Sequence, residues 1–280
     1  MFKLLTWTWR GFQTITPLSR RITRSAASST LKFANKVAVL TGSTNGIGLA
    51  CARRLAQEGA HVVICSRKKD NVDKAVAMLQ GEGLSVTGTV CHVGKAEDRE
   101  RLVTTALEHN KGVNFLVCVA GVNPLVRSTM GTSEQIWDKI LEVNVKAPAL
   151  LLKQLLPHME NRGQSSVILV SSVVAYNPTV ELGVYNISKT AILGLTKTLA
   201  KELAPKNIRV NCIAPGLIQT DFIKKISEEP AAWNIIKERE AIQREGVPED
   251  CSGLVSFLCS PDAAYISGET IAVAGFSPHL

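Results

Sequence analysis

Short apolar runs alternate with amphipathic segments of helix length along most of this 280-residue chain. The runs fall at 37–41, 61–66, 86–92, 114–119, 166–171, 208–213 and 270–273, and the helical segments at 47–58, 70–81, 96–110, 133–159, 184–204 and 248–259. Strands that alternate with helices build βαβ units and a parallel sheet. Runs without polar alternation are covered on both faces. The sequence therefore predicts an α/β fold, a single doubly wound domain whose seven-stranded parallel sheet has helices on both faces.

The first 31 residues differ from the rest in composition. They are rich in Arg, Ser and Thr, and the first acidic residue of the chain is Glu58. Cations interleaved with apolar residues are typical of a mitochondrial transit peptide. We predict a leader over 1–31 that directs the protein to the mitochondrial matrix, and a folded domain over 32–280. A leader without an address, leaving the protein cytoplasmic, is one alternative. A peroxisomal address is another, since Pro278-His279-Leu280 partly matches such tails.

The bulk composition argues against several kinds of partner. The formal net charge is +8, but residues 1–35 carry six Lys and Arg and no acid, which leaves only +2 on the remainder. A surface that binds nucleic-acid phosphates needs more positive charge than that. No apolar run is long enough to cross a bilayer. The seven cysteines form no C-x-x-C pair, so we predict free thiols and no metal site.

A glycine-rich turn follows the first apolar run and leads directly into a helical segment. Glycine permits a tight turn, and the start of a helix attracts a pyrophosphate. The succession of strand, turn and helix predicts a dinucleotide-binding site, with a purely structural turn as the alternative. The candidate cofactor-binding residues in this turn are Gly42, Ser43, Asn45, Gly46, Ile47 and Gly48.

The end of the second run indicates which nicotinamide cofactor is bound. An acidic residue there would hydrogen-bond a ribose hydroxyl and repel a 2′-phosphate, but this chain has Ser66, Arg67 and Lys68. An arginine can hold a phosphate through two hydrogen bonds. We therefore predict NADPH rather than NADH, bound in part by Ser66 and Arg67. Cations that merely solvate a loop are the alternative.

Three residues near the fifth run suggest catalysis. Tyr185 and Lys189 are four positions apart in a helical segment and so lie on one face. A phenol with a pKa of about 10 transfers protons poorly at neutral pH unless a nearby cation favours its anion, and Lys189 would supply that cation. Ser172 follows the apolar run directly. Each residue alone could be structural, but together they predict an active site.

The T-G-x-x-x-G-x-G spacing at 41–48 and the Y-x-x-x-K motif at 185–189 resemble the short-chain dehydrogenase/reductase family, and the resemblance extends over 36–273. It implies that Ser172 binds the substrate carbonyl, Tyr185 acts as general acid and Lys189 lowers the pKa of the tyrosine and holds the ribose. It also implies that Asn144 helps to hold a water beside Lys189. Further cofactor contacts carried over from the family are Val93, Ala120, Gly121, Gly216, Ile218 and Thr220. The chain departs from the family pattern at His92 and Val119, where Asp and Asn are usual.

The substrate is predicted from the apolar residues of two regions, the loop 173–183 and the irregular segment 217–247. They suggest a small apolar carbonyl compound. The stretches 91–99 and 122–126 are similar to the branch of the family that reduces dicarbonyls with NADPH, commonly as a dimer or tetramer paired through 133–159 and 184–204. Two alternatives stay open, an NAD-linked dehydrogenase of secondary alcohols or steroids and a weakly active NADP-binding regulatory protein.

Overall fold

The structure, a computed structural model, describes residues 31–124, 127–160, 162–221 and 241–276. The predicted leader, apart from Leu31, lies outside the described residues. So do the stretch 222–240 of the predicted substrate segment and the tail after residue 276. The remainder belongs to one unit, Leu31–Leu280, the single domain that the sequence predicts.

Within the described residues, seven parallel strands form one sheet with the order β3-β2-β1-β4-β5-β6-β7, which confirms the predicted architecture. The strands are β1 (Val37–Thr41), β2 (His61–Ser66), β3 (Val86–Val90), β4 (Phe115–Cys118), β5 (Ser165–Val170), β6 (Ile208–Pro215) and β7 (Thr270–Val273). The strand order reverses between β1 and β4. Open α/β sheets bind their ligands beyond the carboxyl ends of the strands at such a point.

Both faces of the sheet are covered. Val39 packs in a cluster with Leu151, whereas the next residue, Leu40, packs with Leu55 in a second cluster on the opposite face. All four side chains are at most 1% exposed. Apolar runs without alternation are therefore buried on both sides, as their sequence predicts.

Helices lie between the strands close to the predicted positions. They are α1 (Gly46–Gln57), α2 (Lys69–Gly81), α3 (Ala96–Asn110), α4 (Glu134–Leu141), α5 (Ala147–Met159), α6 (Gly183–Leu203) and α7 (Pro248–Cys259). The chain is helical over almost all of the predicted segment 133–159, but a π-helix, Glu142–Lys146, lies between α4 and α5. Pro148 has no N–H to give to the carbonyl of Asn144, four residues earlier. The chain widens there, and the amide of Ala147 donates to Glu142.

All seven cysteines are buried and free. In the part of the chain that the structure describes, no helix is long and apolar enough to span a membrane. The same residues contain no group of three or more His, Cys, Asp or Glu side chains that could hold a metal ion.

Candidate active site

The glycine-rich turn between β1 and α1 leaves no room for side chains at two of its glycines. Gly42 has a φ of +61°, and a Cβ there would lie 2.8 Å from the Cα of Ala120. A Cβ on Gly48 would lie 2.2 Å from the carbonyl oxygen of Gly42. Only glycine fits such close backbone approaches. The turn therefore keeps the backbone at the start of α1 bare, as a bound pyrophosphate requires.

Polar side chains of the turn hold its shape. Asn45 caps α1, since its Oδ1 accepts from the amide of Gly46 at 2.7 Å, and its Nδ2 donates to the carboxylate of Asp221. Ser43 is fully buried, and its hydroxyl donates to Leu40 at 2.7 Å. Its amide donates to the carbonyl of Cys65. Both donors of Ser43 are thus used within the protein, so a phosphate contact there would require one of these bonds to open.

Residues that follow β2 are exposed at the edge of the site. The hydroxyl of Ser66 accepts a long hydrogen bond, 3.4 Å, from the amide of Lys68. The side chains of Arg67 and Lys68 are exposed, and within the described residues neither forms an ion pair, whereas the next residue, Lys69, pairs with Asp73. Two cations are therefore available to an anionic group at this point.

The ends of β3 and β4 supply mainly backbone. Val93 is buried, and its carbonyl accepts from the guanidinium of Arg99 at 2.7 Å. The amide of Ala120 donates to the hydroxyl of Thr41 at 3.2 Å, which holds the end of β4 although Val119 stands where the family has Asn. A Cβ on Gly121 would lie 3.5 Å from the ammonium of Lys189. Gly121 thus opens space in front of that ammonium.

The segment after β6 closes the site on the other side. The amide of Gly216 donates to Val273, and Ile218 is buried and paired with Gly246. Thr220 lies against the start of α1, because a Cβ on Gly46 would be 3.1 Å from its methyl carbon. A cleft of about 520 Å³ at this place is lined by Asn45, Gly46 and Thr220 among others, and Ile47 beside it is half-buried against the core.

Tyr185 and Lys189 lie one turn apart near the start of α6. The Lys189 side chain is 4% exposed, and its Nζ donates to the carbonyl of Val170 at 2.9 Å. The same Nζ is 5.4 Å from the centre of the Tyr185 ring. The ammonium is therefore held between the end of β5 and the tyrosine, as the spacing of the motif predicts.

Ser172 begins the loop that follows β5. Its hydroxyl donates to the carbonyl of Pro215 and accepts from the amide of Val174, both at 3.4 Å. These distances are at the weak end of the hydrogen-bond range. The hydroxyl can consequently turn towards a substrate at little cost.

Burial shifts the pKa values of the two ionisable groups in opposite directions. It lowers the pKa of Lys189 to about 8, because the buried ammonium has lost its water. Burial also raises the pKa of Tyr185. The loss of solvent around the phenol causes this rise, so the lowering of the tyrosine pKa that the resemblance implies is not seen in the net shift. A phenol that keeps its proton at neutral pH is suited to donate it.

Asn144 lies in the π-helix and links three elements. Its Oδ1 accepts from the amide of Val122 at 2.8 Å, and its Nδ2 donates to the carbonyl of Val122 and to the hydroxyl of Ser188, both at 3.0 Å. Ser188 in turn donates to the carbonyl of Tyr185 at 2.8 Å. The sequence prediction overlooked Ser188 and also Ser171, whose hydroxyl donates to the carbonyl of Lys189 at 2.7 Å. The only sequence signal for these two serines is that Ser171 precedes Ser172 and Ser188 precedes Lys189.

Comparisons with known proteins agree with this geometry. Residues 42–276 match a family model described as enoyl-(acyl carrier protein) reductase. Over 263 residues the chain is 67% identical to "Dehydrogenase/reductase SDR family member 2, mitochondrial" of Homo sapiens, covering 94% of each sequence. The chain belongs to the short-chain dehydrogenase/reductase family. Another member, "Dehydrogenase/reductase SDR family member 4" of Homo sapiens, is 59% identical over 260 residues, 93% of this chain and 94% of the relative. The stretches 91–99 and 122–126 predict similarity to members 2 and 4, and the ending 271–275 favours member 2; both predictions are confirmed.

Solved structures of other proteins have the same fold. A variant of actinorhodin polyketide ketoreductase with NADPH has a TM-score of 0.81 and 29% identity, covering 86% of this chain and 96% of that one. A short-chain dehydrogenase/reductase from Brucella melitensis, also described as a glucose/ribitol dehydrogenase, has a TM-score of 0.83 and 29% identity, covering 90% and 100%. The Rossmann-type architecture and an oxidoreductase activity follow from membership of the family.

Proposed function

We propose that this protein is an NADPH-dependent reductase of small apolar carbonyl and dicarbonyl compounds, with Tyr185 as its general acid. The position of Lys189 carries the proposal. Its ammonium is buried, donates to Val170 and lies 5.4 Å from the centre of the Tyr185 ring, next to the bare backbone of Gly121. A desolvated cation beside a phenol stabilises the anion that the phenol becomes when it gives up a proton.

Each side chain of the site has a separate role in the proposed reduction. NADPH, when bound, supplies the hydride to the carbonyl carbon. The hydroxyl of Ser172 donates to the carbonyl oxygen and orients it, and Tyr185 transfers its phenolic proton to that oxygen as the alcohol forms. Lys189 stabilises the tyrosinate left behind. Asn144 and Ser188 keep the first turn of α6 in register with the loop after β4.

Initial rates with the two nicotinamides test the proposal as a whole. Reduction of a simple diketone is expected to consume NADPH at a higher kcat/KM than NADH. A preference for NADH would contradict the cofactor assignment and favour a dehydrogenase of alcohols or steroids. A protein that binds NADPH but reduces no carbonyl would be the regulatory alternative.

Exposed cations after β2 support NADPH as the cofactor. We expect Arg67→Glu to raise the KM for NADPH about tenfold or more while leaving the KM for NADH within about threefold, because a charge-assisted bond to the 2′-phosphate is replaced by repulsion. Steady-state kinetics with both cofactors measure this. Lys69→Glu is the matched control, since it makes the same charge change two residues away on a side chain that pairs with Asp73. An unchanged KM for NADPH in Arg67→Glu would remove the basis for the assignment.

The lowered pKa of Lys189 predicts how the rate varies with pH. Below about 8 the ammonium is protonated and supports proton donation by Tyr185, and above that value it loses its charge. We therefore expect the rate of carbonyl reduction to be flat on the acid side and to fall by up to about tenfold per pH unit above the inflection. A profile of kcat from pH 6 to 10 measures it, and a rate that stayed constant across this range would contradict the role given to Lys189.

The apolar character of the substrate is proposed from the residues around Ser172. Val173, Val174 and Leu217 are half-buried at this edge of the sheet, which suits an uncharged apolar compound. The apolar residues predicted to line the substrate pocket also include Pro178 and Val180 of the loop 173–183, and both are exposed, Val180 by 74%.

We also propose that the protein acts in the mitochondrial matrix as a homo-oligomer, without nucleic acid as a partner. The composition of residues 1–31 supports the location, and the family member that is 67% identical carries "mitochondrial" in its name. Pairing through α4, α5 and α6 is expected from the resemblance to the family.

A further inference from the structure

The loop between β5 and α6 joins the two groups that would face the carbonyl. It begins at Ser172 and ends at Gly183, two residues before Tyr185, and contains two short 3₁₀ turns, Val173–Ala175 and Val180–Leu182. Because the loop is short and attached to both groups, its conformation governs where the Ser172 hydroxyl lies relative to the phenol.

Two side chains of α6 hold this loop. The Nδ2 of Asn186 donates to the carbonyl of Thr179 at 2.6 Å. The hydroxyl of Thr190 donates to the carbonyl of Ala175 at 3.1 Å. Asn186 and Thr190 are four positions apart and therefore lie on one face of the helix. Thr190 therefore holds the first 3₁₀ turn at Ala175, and Asn186 holds Thr179, the residue that caps the second turn.

The bond from Asn186 is the stronger of the two. Asn186 is 8% exposed, and its amide oxygen has no hydrogen-bond partner within the described residues, so Thr179 is the contact that orients the amide. A hydrogen bond shielded from water is worth more than an exposed one. Thr190 is exposed and shares its proton with the carbonyl of Asn186 at 3.0 Å, so its contribution is smaller.

The far end of the loop is confined from the other side. Gly183 has a φ of +29°, and a Cβ there would lie 2.7 Å from the carbonyl oxygen of Arg127 and 2.9 Å from the amide of Thr129. The backbone after β4 therefore presses against the start of α6. With Asn186 holding Thr179, the loop has little freedom to move outwards and enlarge the space between Ser172 and Tyr185.

We propose that Asn186 and Thr190 are positioning residues that fix the loop 172–183 and thereby select compact carbonyl compounds over bulky ones. The proposal rests on the carbonyl-reductase function proposed above. The two residues act through the loop and through Ser172, and neither takes part in proton transfer. A loop that is held in place presents the Ser172 hydroxyl to a small substrate that makes few contacts of its own.

The test compares a compact diketone, diacetyl, with a bulky one, benzil, in Asn186→Ala, Thr190→Val and the double variant. For diacetyl we expect kcat/KM to fall about tenfold in Asn186→Ala, mainly through a higher KM, and by less in Thr190→Val. For benzil we expect less than about a threefold change, because a large substrate can order the loop itself. NADPH affinity, measured by the fluorescence of the bound cofactor, is expected to stay within about twofold.

Matched controls exist elsewhere in the chain. Thr104→Val removes a threonine bond of the same kind on the exposed face of α3, to the carbonyl of Glu100. Asn110→Ala removes a bond from an asparagine amide to the carbonyl of Asn35. Neither control touches the loop, so both are expected to leave the ratio of kcat/KM values for diacetyl and benzil unchanged.

Hydrogen exchange of the loop gives a readout that does not depend on activity. The amide of Leu182 donates to Thr179 and that of Ala175 donates to Ser172, so both are expected to exchange faster in the double variant. Unchanged exchange would overturn the proposal, as would faster exchange with an unchanged substrate ratio. A wild-type protein that reduces neither diketone would overturn the proposed function and this selectivity with it, whereas an active wild type whose variants keep the wild-type ratio of kcat/KM values would overturn only the role of Asn186 and Thr190.

Discussion

Tyr185→Phe is expected to lower kcat for carbonyl reduction by roughly a hundredfold to ten-thousandfold, the range found when a general acid is removed. In the proposed mechanism the phenolic proton is the one transferred to the carbonyl oxygen, and phenylalanine keeps the ring beside Lys189 while removing that proton. Binding of NADPH is expected to stay within about threefold of wild type. Single-turnover rates at saturating NADPH measure the chemical step, and fluorescence titration measures the binding.

The matched control for this prediction is Tyr176→Phe. Tyr176 is half-buried in the loop after β5, where its hydroxyl lies close to the side chain of Thr270. Removal of that hydroxyl is expected to change kcat by less than about threefold. If Tyr185→Phe reduced carbonyl compounds as fast as Tyr176→Phe, the proton would have to come from another group, and the proposed function would lose its central residue.

The largest expected loss of stability follows from Gly48→Ala. The new Cβ would lie 2.2 Å from the carbonyl oxygen of Gly42, and no side-chain rotation can separate a Cβ from a backbone oxygen. We expect the free energy of unfolding to fall by about 3 kcal/mol and the melting temperature by roughly 6–12 °C. Chemical denaturation and a thermal melt of the protein without cofactor measure the two quantities.

Gly81→Ala makes the same substitution at the end of α2, where no atom lies within 4 Å of the new Cβ. It is expected to leave stability unchanged or to raise it by up to about 1 kcal/mol, because alanine restricts the unfolded chain. Equal stability of the two variants would mean that the glycine turn yields more easily than its contacts indicate. The close packing of that turn would then carry no argument about cofactor binding.

The strands were predicted because a run that is buried on both faces is apolar throughout. The helices were predicted from their amphipathic pattern. The strand at 61–66 and the helix at 96–110 were placed without error. The π-helix was not predicted, although Pro148 is a local signal for it, and neither were the bonds between Asn144 and Val122, which are 22 positions apart. Hydrogen bonds over such separations leave no periodic signal in the sequence.

The candidate site was predicted unevenly for the same reason. Motif spacing placed Tyr185 and Lys189 correctly on one face of a helix. It could not show that the hydroxyl and the amide of Ser43 donate hydrogen bonds to the carbonyls of Leu40 and Cys65. The pKa of Tyr185 was expected to fall and instead rises, because desolvation depends on every element that packs around the phenol. Ser188 was overlooked because its role lies in what it contacts.

The buried ammonium of Lys189 also sets a limit on how stable this fold can be. Its pKa is about 8 when folded and about 10.5 in an unfolded chain, so the unfolded state holds the extra proton between these values. The free energy of unfolding consequently rises with pH across that window, and below about 8 the protein bears the full cost of a charge kept from water. An apolar side chain at this position would remove that cost, and with it the ammonium on which the proposed mechanism depends.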